Sequence, residues 1–336
     1  MNALLEQLKR KENLTEAQAG MLLSDIIAGS ISHQEIKELL LALKEKGETT
    51  DEIVGFVKTM RANMRTVDAP GAIDVVGTGG DGSGTFNIST VSAFVVAGAG
   101  VPVAKHGNRA ASSKCGSADV LEALGVNIEF SPEQASGVFK KTGFVFMLAP
   151  LYHPAMKAVV MARKELKVRT VFNLLGPFAN PAGTKRQLTG VPDKGAAEMM
   201  SKAAQKLGYE RMFVVTSDDG MDEISLRATS QLFDVKATGI KQSVIDPKKF
   251  GFESPQKDAL LGGTAQDNAE IIRSILAGDR GPKRDVVLLN SAYALVVAGK
   301  AATVEEGIDR AIVSIDTGAA QLVLEKMIAE TSKLRQ

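Results

Sequence analysis

The sequence of 336 residues contains no tryptophan, a single cysteine and three histidines, and none of its apolar runs approaches membrane-spanning length. Because Cys115 stands alone, no intramolecular disulfide can form, and a reducing compartment is expected. The net charge of +1 lacks the basic bias of proteins that bind nucleic acids or membrane surfaces. Residues 1–18 show no basic-then-apolar signal pattern. We therefore expect a cytoplasmic protein that binds neither nucleic acid nor membrane.

Residues 1–66 have the pattern of a small all-helical N-terminal domain, without strand-like alternation. Thr15 and Ser32 predict capped helix starts, and Thr50 or Asp51 predicts a third. The apolar residues of this segment occupy more than one helix face, which predicts a further contact with the rest of the chain or with a second subunit. These residues are Leu22, Leu23, Ile26, Ile27, Leu39, Leu40, Leu41 and Leu43.

Residues 72–336 alternate short apolar runs with helix-forming segments after a linker at 67–71, which predicts a larger α/β domain with a mainly parallel central sheet. The predicted strands are Ile73–Val76, Val101–Ala104, Phe144–Ala149, Met212–Thr216 and a stretch near Leu232–Thr238. The predicted helices are Ser89–Ala99, Ser117–Leu124, Ser131–Gly143, Pro154–Leu166, Ala196–Leu207, Asn268–Ala277, Asp285–Ala298 and Val304–Thr331.

Two glycine-rich segments each follow a predicted strand. The first runs from Gly77 to Thr90, and the second runs from Lys105 to Ser117. Glycines let backbone N–H groups approach an anion closely, and the N-terminus of a following helix adds a partial positive charge. Two such loops on adjacent strands predict a ligand that carries phosphate groups at both ends.

The first segment also satisfies the pattern G-x-G-x-x-G over residues 77–82, so a dinucleotide-binding site must be weighed. In that motif the helix opens within the glycines, and an acidic residue follows on the next strand. Here Gly84 prolongs the loop and the next strand leads into Lys105, which favours binding of phosphate and ribose instead. The polar residues at the following helix start, which can cap the helix or contact an anion, are Asn87, Ser89 and Thr90.

The second segment places up to three positive groups, Lys105, His106 and Arg109, at the end of a strand. Such groups suit a polyphosphate, and a solvated charge cluster is the alternative. We interpret His106 as structural or substrate-lining rather than as a base, and Cys115 as a small loop residue. The acidic run 218–223 follows another apolar strand and is typical of Mg²⁺ sites that share phosphate oxygens, although an exposed acidic turn has the same composition.

Taken together, these segments resemble the anthranilate phosphoribosyltransferases of the tryptophan pathway. The matching motifs are GTGGD (77–81), NIST (87–90), KHGNR (105–109), GSADVLE (116–122), HPAMK (153–157), Arg163, RTVFNLLGP (169–177), Asn180-Pro181 and Asp222-Glu223. The resemblance implies transfer of phosphoribose from 5-phosphoribosyl 1-pyrophosphate (PRPP) to the amino group of anthranilate, with release of pyrophosphate. It also implies a nucleoside-phosphorylase-like fold, a returning helical segment near 154–180 that joins the helical domain, and a homodimer formed through the helical domains.

The resemblance further implies a role for each matching residue. Catalytic roles fall to Lys105, Asn108 and Arg163. PRPP contacts are implied for Gly77, Gly80, Asp81, Thr85, Asn87, Ile88, Ser89, Thr90, Lys105, His106, Gly107, Asn108, Arg109, Ala110, Ala111, Ser112, Ser113 and Ser117. Anthranilate contacts are implied for Gly77, Asn108 and Arg163. Mg²⁺, expected as two ions with substrate bound, is implied to bind Ser89, Asp222 and Glu223.

Two positions depart from the family pattern, since Thr216 stands where relatives often have histidine and Lys167 replaces a common glycine. One rival function is that of a pyrimidine nucleoside phosphorylase of related fold, and Asn108 with Arg163 and the acidic pair argue against it. A second rival is a nucleic-acid-binding relative that keeps the fold, and the near-neutral charge argues against it.

Overall fold

The computed structural model describes residues 2–110 and 113–334, so the predicted PRPP contacts Ala111 and Ser112 lie outside the described residues. The helices are α1 Asn2–Lys9, α2 Glu16–Ile27, α3 His33–Lys46, α4 Thr50–Ala62, α5 Ile88–Gly98, α6 Ser117–Ala123, α7 Pro132–Thr142, α8 Ala149–Tyr152, α9 Lys157–Leu166, α10 Phe172–Leu175, α11 Lys194–Lys206, α12 Ala265–Leu276, α13 Pro282–Ala298, α14 Val304–Asp316 and α15 Ala319–Ser332. The strands are β1 Asp74–Gly77, β2 Val103–Gly107, β3 Phe144–Leu148, β4 Arg186–Gly190, β5 Arg211–Ser217, β6 Ser230–Lys236 and β7 Gly239–Ile245. Short 3₁₀ segments lie at Pro154–Met156, Gly176–Phe178, Pro247–Phe250 and Lys257–Leu260.

Helices α1–α4 form the N-terminal bundle. Complete capping boxes begin three of these helices, at Thr15, Ser32 and Thr49. The first two confirm the predicted caps. The prediction of Thr50 or Asp51 as the third cap is wrong, because the Glu52 backbone N–H and carboxylate both pair with Thr49.

The chain returns to this bundle after β3, where α9 packs against α3 and α2, and α10 packs against α4. This packing, together with contacts inside the bundle, covers most of the apolar residues that predicted a further contact surface. Those now buried are Leu22, Leu23, Ile26, Leu39, Leu40 and Leu43. Leu41 stays 36% exposed. Packing within the chain thus accounts for most of the second apolar face, which by itself does not require a second subunit.

The central sheet has the strand order β1-β4-β5-β6-β7. Strands β1, β4 and β5 are parallel to one another, and β6 is antiparallel to both of its neighbours, β5 and β7. Strands β2 and β3 form a parallel pair beside β1, joined through a parallel bridge between Ile73 and Val103. Helix α5 is buried on this assembly between the sheet and helices α13 and α15. The mainly parallel α/β class is confirmed.

Several elements differ from the sequence predictions, among them the short helices α8 and α10, which were not predicted. Strand β4 was missed because its buried residues include the polar Gln187 and Thr189, which hydrogen-bond to each other at 2.7 Å. Strand β7 was missed because it is an exposed, polar edge strand. The predicted single helix over 304–331 is wrong, because Gly318 takes a left-handed φ of 73° and separates α14 from α15. No helix in the described part of the chain is long and apolar enough to cross a membrane.

Candidate active site

A cavity of about 400 Å³ lies where the carboxyl ends of β1, β2 and β5 face α9 and α10. Every predicted site residue that the structure describes lines this cavity. We call the residues contributed by 76–90, 105–110, 113–117 and 222–223 the strand-end wall. We call the residues contributed by 149–177 the helical wall. Carboxyl ends of parallel strands are the usual ligand-binding edge of such a sheet.

The first glycine loop is shaped by contact with the acidic pair. Gly77 lies opposite Gly190 in the register of β1 and β4. A Cβ atom at Gly77 would lie 2.5 Å from Asp222 Oδ2, and one at Gly190 would lie 1.6 Å from the Asp222 carbonyl oxygen. The Gly79 N–H donates to Asp222 Oδ2 at 2.6 Å. Glycine at both strand ends is therefore what lets the acidic pair approach the loop.

The start of α5 carries polar atoms that lack partners. Asn87 occupies the N-cap position, but its side chain makes no cap; Nδ2 donates instead to the Cys115 carbonyl at 3.2 Å. Within residues 2–110 and 113–334, Asn87 Oδ1 and Thr90 Oγ1 are buried without a hydrogen-bond partner. The Ser89 N–H donates to Glu223 Oε1 at 3.1 Å. The expectation that these side chains cap the helix is thus wrong for Asn87, and the free polar atoms suit a ligand.

Lys105 supplies a buried positive charge at the centre of the strand-end wall. Its side chain is only 1% exposed, and its ammonium group donates to the Val75 carbonyl and, at 3.3 Å, to Ser89 Oγ. Burial lowers the pKa of Lys105, whereas the nearby carboxylates of Asp74 and Glu223 act in the opposite direction. A cation held this rigidly can stabilise negative charge that develops on a leaving group.

The other two candidate positive groups of the second loop behave differently. Burial, the neighbouring His153 and the nearby Lys105 lower the pKa of His106 to about 3, so its ring is neutral. Its Nδ1 lies 3.2 Å from the Gly176 carbonyl oxygen. Arg109 lines the cavity and pairs with Glu122 and, at 3.5 Å, with Asp119. Of the three candidate positive groups, His106 is therefore neutral, and Arg109 is positive but already paired with carboxylates.

The acidic run divides into two parts. Asp222 and Glu223 are buried at the cavity, whereas Asp218 and Asp219 accept hydrogen bonds from Thr229 and Ser225 outside it. Burial, with repulsion from Asp81, raises the pKa of Asp222 to about 7, and burial, with repulsion from Asp222, raises that of Glu223 to about 8. This crowding of carboxylates is what a bound divalent cation would relieve.

Asn290, on α13, positions this acidic pair and was missed from the sequence. Its Oδ1 accepts from the Ile224 N–H at 3.0 Å, and its Nδ2 donates to the Ile224 carbonyl at 2.9 Å. The side-chain amide therefore pairs with both backbone groups of the residue that follows Glu223. Asn290 is fully buried and lies outside the cavity lining, and no motif near it in the sequence indicated this role.

The helical wall is mostly apolar, with Arg163, His153 and Asn173 as its polar residues. The Arg163 guanidinium lies 5.9 Å from the Phe172 ring centre, and Nη2 donates to Asn173 Oδ1 at 3.3 Å. Burial lowers the pKa of Arg163, which remains a cation at neutral pH. Among the described residues it forms no ion pair with a carboxylate. An aromatic ligand that carries a carboxylate would fit both features.

The two departures from the family pattern have different consequences. Thr216 is a buried residue of β5 that does not line the cavity. Lys167 ends α9 with a left-handed φ of 53°, the conformation in which a glycine would be unstrained.

Comparison with known proteins agrees with this geometry. Residues 69–321 match the family model described as glycosyl transferase family, a/b domain, and residues 2–64 match its helical bundle domain. The chain is 47% identical to an anthranilate phosphoribosyltransferase of Pelotomaculum thermopropionicum over 96% of this chain and 94% of that protein.

Solved structures agree as well. That of anthranilate phosphoribosyltransferase from Thermus thermophilus has a TM-score of 0.91 and 39% identity, covering 98% of this chain and 99% of the other. The enzyme from Saccharomyces cerevisiae in complex with PRPP and Mg has a TM-score of 0.90 and 28% identity, covering 99% of each chain. The same yeast enzyme is also known in complex with 4-fluoroanthranilate. The resemblance inferred from the sequence is confirmed, and this chain belongs to the anthranilate phosphoribosyltransferase family.

Proposed function

We propose that the cavity binds PRPP and anthranilate together, and that the protein transfers the phosphoribosyl group to the anthranilate amine. The observation that carries this proposal is the convergence in one cavity of two glycine-rich loops, a buried acidic pair and an arginine on an apolar wall. A ligand with phosphates at both ends and an aromatic carboxylate would together use all of these groups.

The strand-end wall is the proposed PRPP site. The buried Asn87 Oδ1 can accept from a ribose hydroxyl, and the buried Thr90 Oγ1 can donate to a phosphate. The proposed contacts among the described residues are Gly77, Gly80, Asp81, Thr85, Asn87, Ile88, Ser89, Thr90, Lys105, His106, Gly107, Asn108, Arg109, Ala110, Ser113 and Ser117.

Mg²⁺ is the proposed cofactor, held by Ser89, Asp222 and Glu223, with two ions when PRPP is bound. These are oxygen donors of the kind Mg²⁺ prefers. The pKa values of the two carboxyls are raised first by burial and second by repulsion from neighbouring carboxylates, and the cation would compensate both. Within the described ranges no group of three or more His, Cys, Asp and Glu side chains forms a metal site. Phosphate oxygens of PRPP would therefore complete the coordination. When bound, Mg²⁺ would neutralise the pyrophosphate as it leaves.

Anthranilate is proposed to lie against the helical wall, within reach of Gly77 and Asn108, with its carboxylate on Arg163. In the reaction the ribose C1–O bond breaks, and pyrophosphate leaves with the electron pair. The amine nitrogen forms the new C1–N bond and releases a proton to solvent. Lys105 would stabilise the charge that develops on pyrophosphate, and Arg163 would aim the amine at C1.

A fluorescence assay tests the proposal directly. Mixing the protein with anthranilate, PRPP and Mg²⁺ is expected to remove anthranilate fluorescence, with release of one pyrophosphate per anthranilate consumed. Samples lacking PRPP or Mg²⁺ are the controls. Phosphorolysis of a pyrimidine nucleoside, with no loss of anthranilate fluorescence, would instead support the rival phosphorylase activity.

We also propose two domains: a helical domain at 1–66, joined by the returning segment 154–180, and an α/β domain at 72–336. We further propose that the protein forms a homodimer and acts in the cytoplasm. The packing of α9 on α2 and α3 supports the returning segment. The exposed apolar residues of these three helices support the dimer; they are Met21, Leu41, Val160 and Met161. Sedimentation at micromolar concentration should give a dimer, and Met161→Glu should shift it toward monomer. A wild-type monomer would contradict the interface.

A further inference from the structure

The turn between α9 and α10 reaches across the cavity to the first glycine loop. Arg169, an exposed residue of this turn, donates from Nη1 to the Gly80 carbonyl at 3.3 Å and from Nη2 to the Gly79 carbonyl at 3.2 Å. One planar guanidinium group therefore binds two successive carbonyls. Arginine can make such a two-pronged contact, whereas a lysine ammonium cannot reproduce its fixed geometry.

The same turn is tied to Arg163 through a single side chain. Asn173 Oδ1 accepts from Arg163 Nη2 at 3.3 Å and from the Thr170 N–H at 3.1 Å. Thr170 is the immediate neighbour of Arg169. A continuous set of contacts therefore runs from Arg163, through Asn173 and the turn, to the carbonyls of the glycine loop.

The loop that Arg169 holds is one that needs outside contacts to become ordered. Five glycines lie between residues 77 and 84, and Gly79 and Gly80 both have left-handed φ values, of 72° and 73°. Glycine loses more conformational freedom on ordering than any other residue. From the α/β side the Gly84 carbonyl accepts from the Gly262 N–H at 3.0 Å, and the Gly79 N–H donates to Asp222 Oδ2 at 2.6 Å. The Gly79 and Gly80 carbonyls are held from the helical side by Arg169.

We propose that Arg169 is a positioning residue that fastens the first glycine loop to the helical wall. Through Asn173, Arg169 couples the binding of a carboxylate at Arg163 to the binding of phosphates at the glycine loop. The inference rests on the proposed function for the identity of the two ligands. A carboxylate that immobilises Arg163 also steadies Asn173 and the turn. The loop is then partly ordered before the phosphates bind, and the coupling must be equal in both directions.

Binding measurements without chemistry test the coupling. Pyrophosphate with Mg²⁺ fills the phosphate end but has no ribose carbon to transfer. Calorimetric titration of anthranilate should therefore give a lower Kd when Mg²⁺ and pyrophosphate are present. In Arg169→Met the ratio of the two Kd values should approach one, and the KM for PRPP should rise about 10-fold, as expected for loss of charged hydrogen bonds. The kcat should change much less than the KM.

Two variants serve as comparisons. Arg169→Lys keeps the charge but loses the two-pronged contact, and it should retain only part of the coupling. Arg280→Met removes an exposed arginine outside the cavity lining and should leave the Kd ratio unchanged. A wild-type ratio of one, or an Arg169→Met ratio equal to that of the wild type, would overturn the proposal.

Hydrogen exchange of the ligand-free protein separates this inference from the proposed function. Backbone amides of residues 77–84 should exchange faster in Arg169→Met than in the wild type, while those of the sheet should not. This result would stand even if no phosphoribosyl transfer were found. Unchanged exchange in the loop would refute the fastening role even in an active enzyme.

Discussion

The two walls of the cavity recognise their ligands by different physical means. The strand-end wall is rich in glycine and charge, and it presents backbone N–H groups, Lys105 and the acidic pair. The helical wall is mostly apolar, carries Phe172 and one largely buried cation, Arg163, and is built from a segment that returns to the N-terminal bundle. Phosphate recognition depends on backbone shape and charge, whereas recognition of an aromatic ring depends on packing.

This difference explains why one wall was easier to predict than the other. Glycines in a row, followed by a helix start, leave a visible pattern in the sequence. An apolar wall is made of residues such as Met156 and Val159, which look the same as core residues in any helix. The five predictions that follow perturb one wall at a time, in decreasing order of expected effect.

Removal of both charges of the acidic pair should have the largest effect. Asp222→Asn with Glu223→Gln should lower turnover about 100-fold or more and abolish its dependence on Mg²⁺, since metal neutralisation of the leaving group is worth several kcal/mol. Steady-state kinetics across a Mg²⁺ series would measure this. Full activity of the wild type in excess chelator would contradict the metal assignment.

The same double variant should be more stable than the wild type at high pH. The folded pKa values of about 7 for Asp222 and about 8 for Glu223 exceed the unfolded values; the latter lie at about 4. The stability that these carboxyls contribute in the protonated form is fully present below the unfolded pKa values and is lost as the pH rises from about 4 to about 8. Neutral amides avoid this loss. The difference in unfolding temperature, measured without ligand, should be smallest near about pH 4, grow as the pH rises and level off above about pH 8.

Arg163→Ala should separate the two walls functionally. Loss of a charged hydrogen bond to the anthranilate carboxylate should cost roughly 1.5–3 kcal/mol in kcat/KM for anthranilate, while PRPP binding stays largely intact. Separate titrations of the two substrates would measure this. Lys164→Ala, at an exposed neighbour on α9, is the matched control. Unchanged kcat and KM for anthranilate would remove Arg163 from the site.

Asn290→Ala should lower the stability of the protein and its affinity for Mg²⁺, although Asn290 does not line the cavity. It leaves the buried Ile224 N–H and carbonyl unpaired, which should cost about 1–3 kcal/mol of unfolding free energy. It should also raise the Mg²⁺ concentration needed for half-maximal activity, because the residues before Ile224 lose their anchor. Ser291→Ala is the control, since the Ser291 hydroxyl has no partner among the described residues. Equal unfolding free energies for the two variants would contradict the anchoring role.

Lys167→Gly should have the smallest effect, and this effect should be confined to the helical wall. Glycine relieves the strain of the left-handed conformation, which is worth about 1–2 kcal/mol. It also gives the unfolded chain more conformational entropy, which destabilises the folded state by about 0.4–1 kcal/mol. The expected net stabilisation is roughly 0.5 kcal/mol. Chemical denaturation would measure it. Lys164→Gly, inside α9, should instead destabilise by about 1 kcal/mol. A destabilised Lys167→Gly protein would show that the lysine side chain makes a stabilising contact.

The structure also shows where prediction from sequence alone fails. Helix caps at Thr15 and Ser32 were found because the capping box is a local pattern. Strand β4 was missed because its buried residues include the polar Gln187 and Thr189, which interrupt the apolar pattern of a strand; in the structure Gln187 donates to Thr189 and to the Pro177 carbonyl. The charge of the second loop also needed the structure: burial keeps His106 neutral, as its interpretation as a structural or lining residue allowed, and Arg109 is positive but paired with Glu122.

The sequence by itself determined the fold class, the family and the positions of the two glycine-rich loops, because glycine backbone freedom, helix caps and apolar periodicity are local properties of a chain. Only the tertiary structure decided which groups act together. In the folded protein Asp222 contacts Gly77, and Asn290 accepts a hydrogen bond from the Ile224 N–H. Arg169 donates hydrogen bonds to the carbonyls of Gly79 and Gly80. These contacts join residues far apart in the chain, and each depends on burial and distance, which exist only once the sheet and the returning helices have packed.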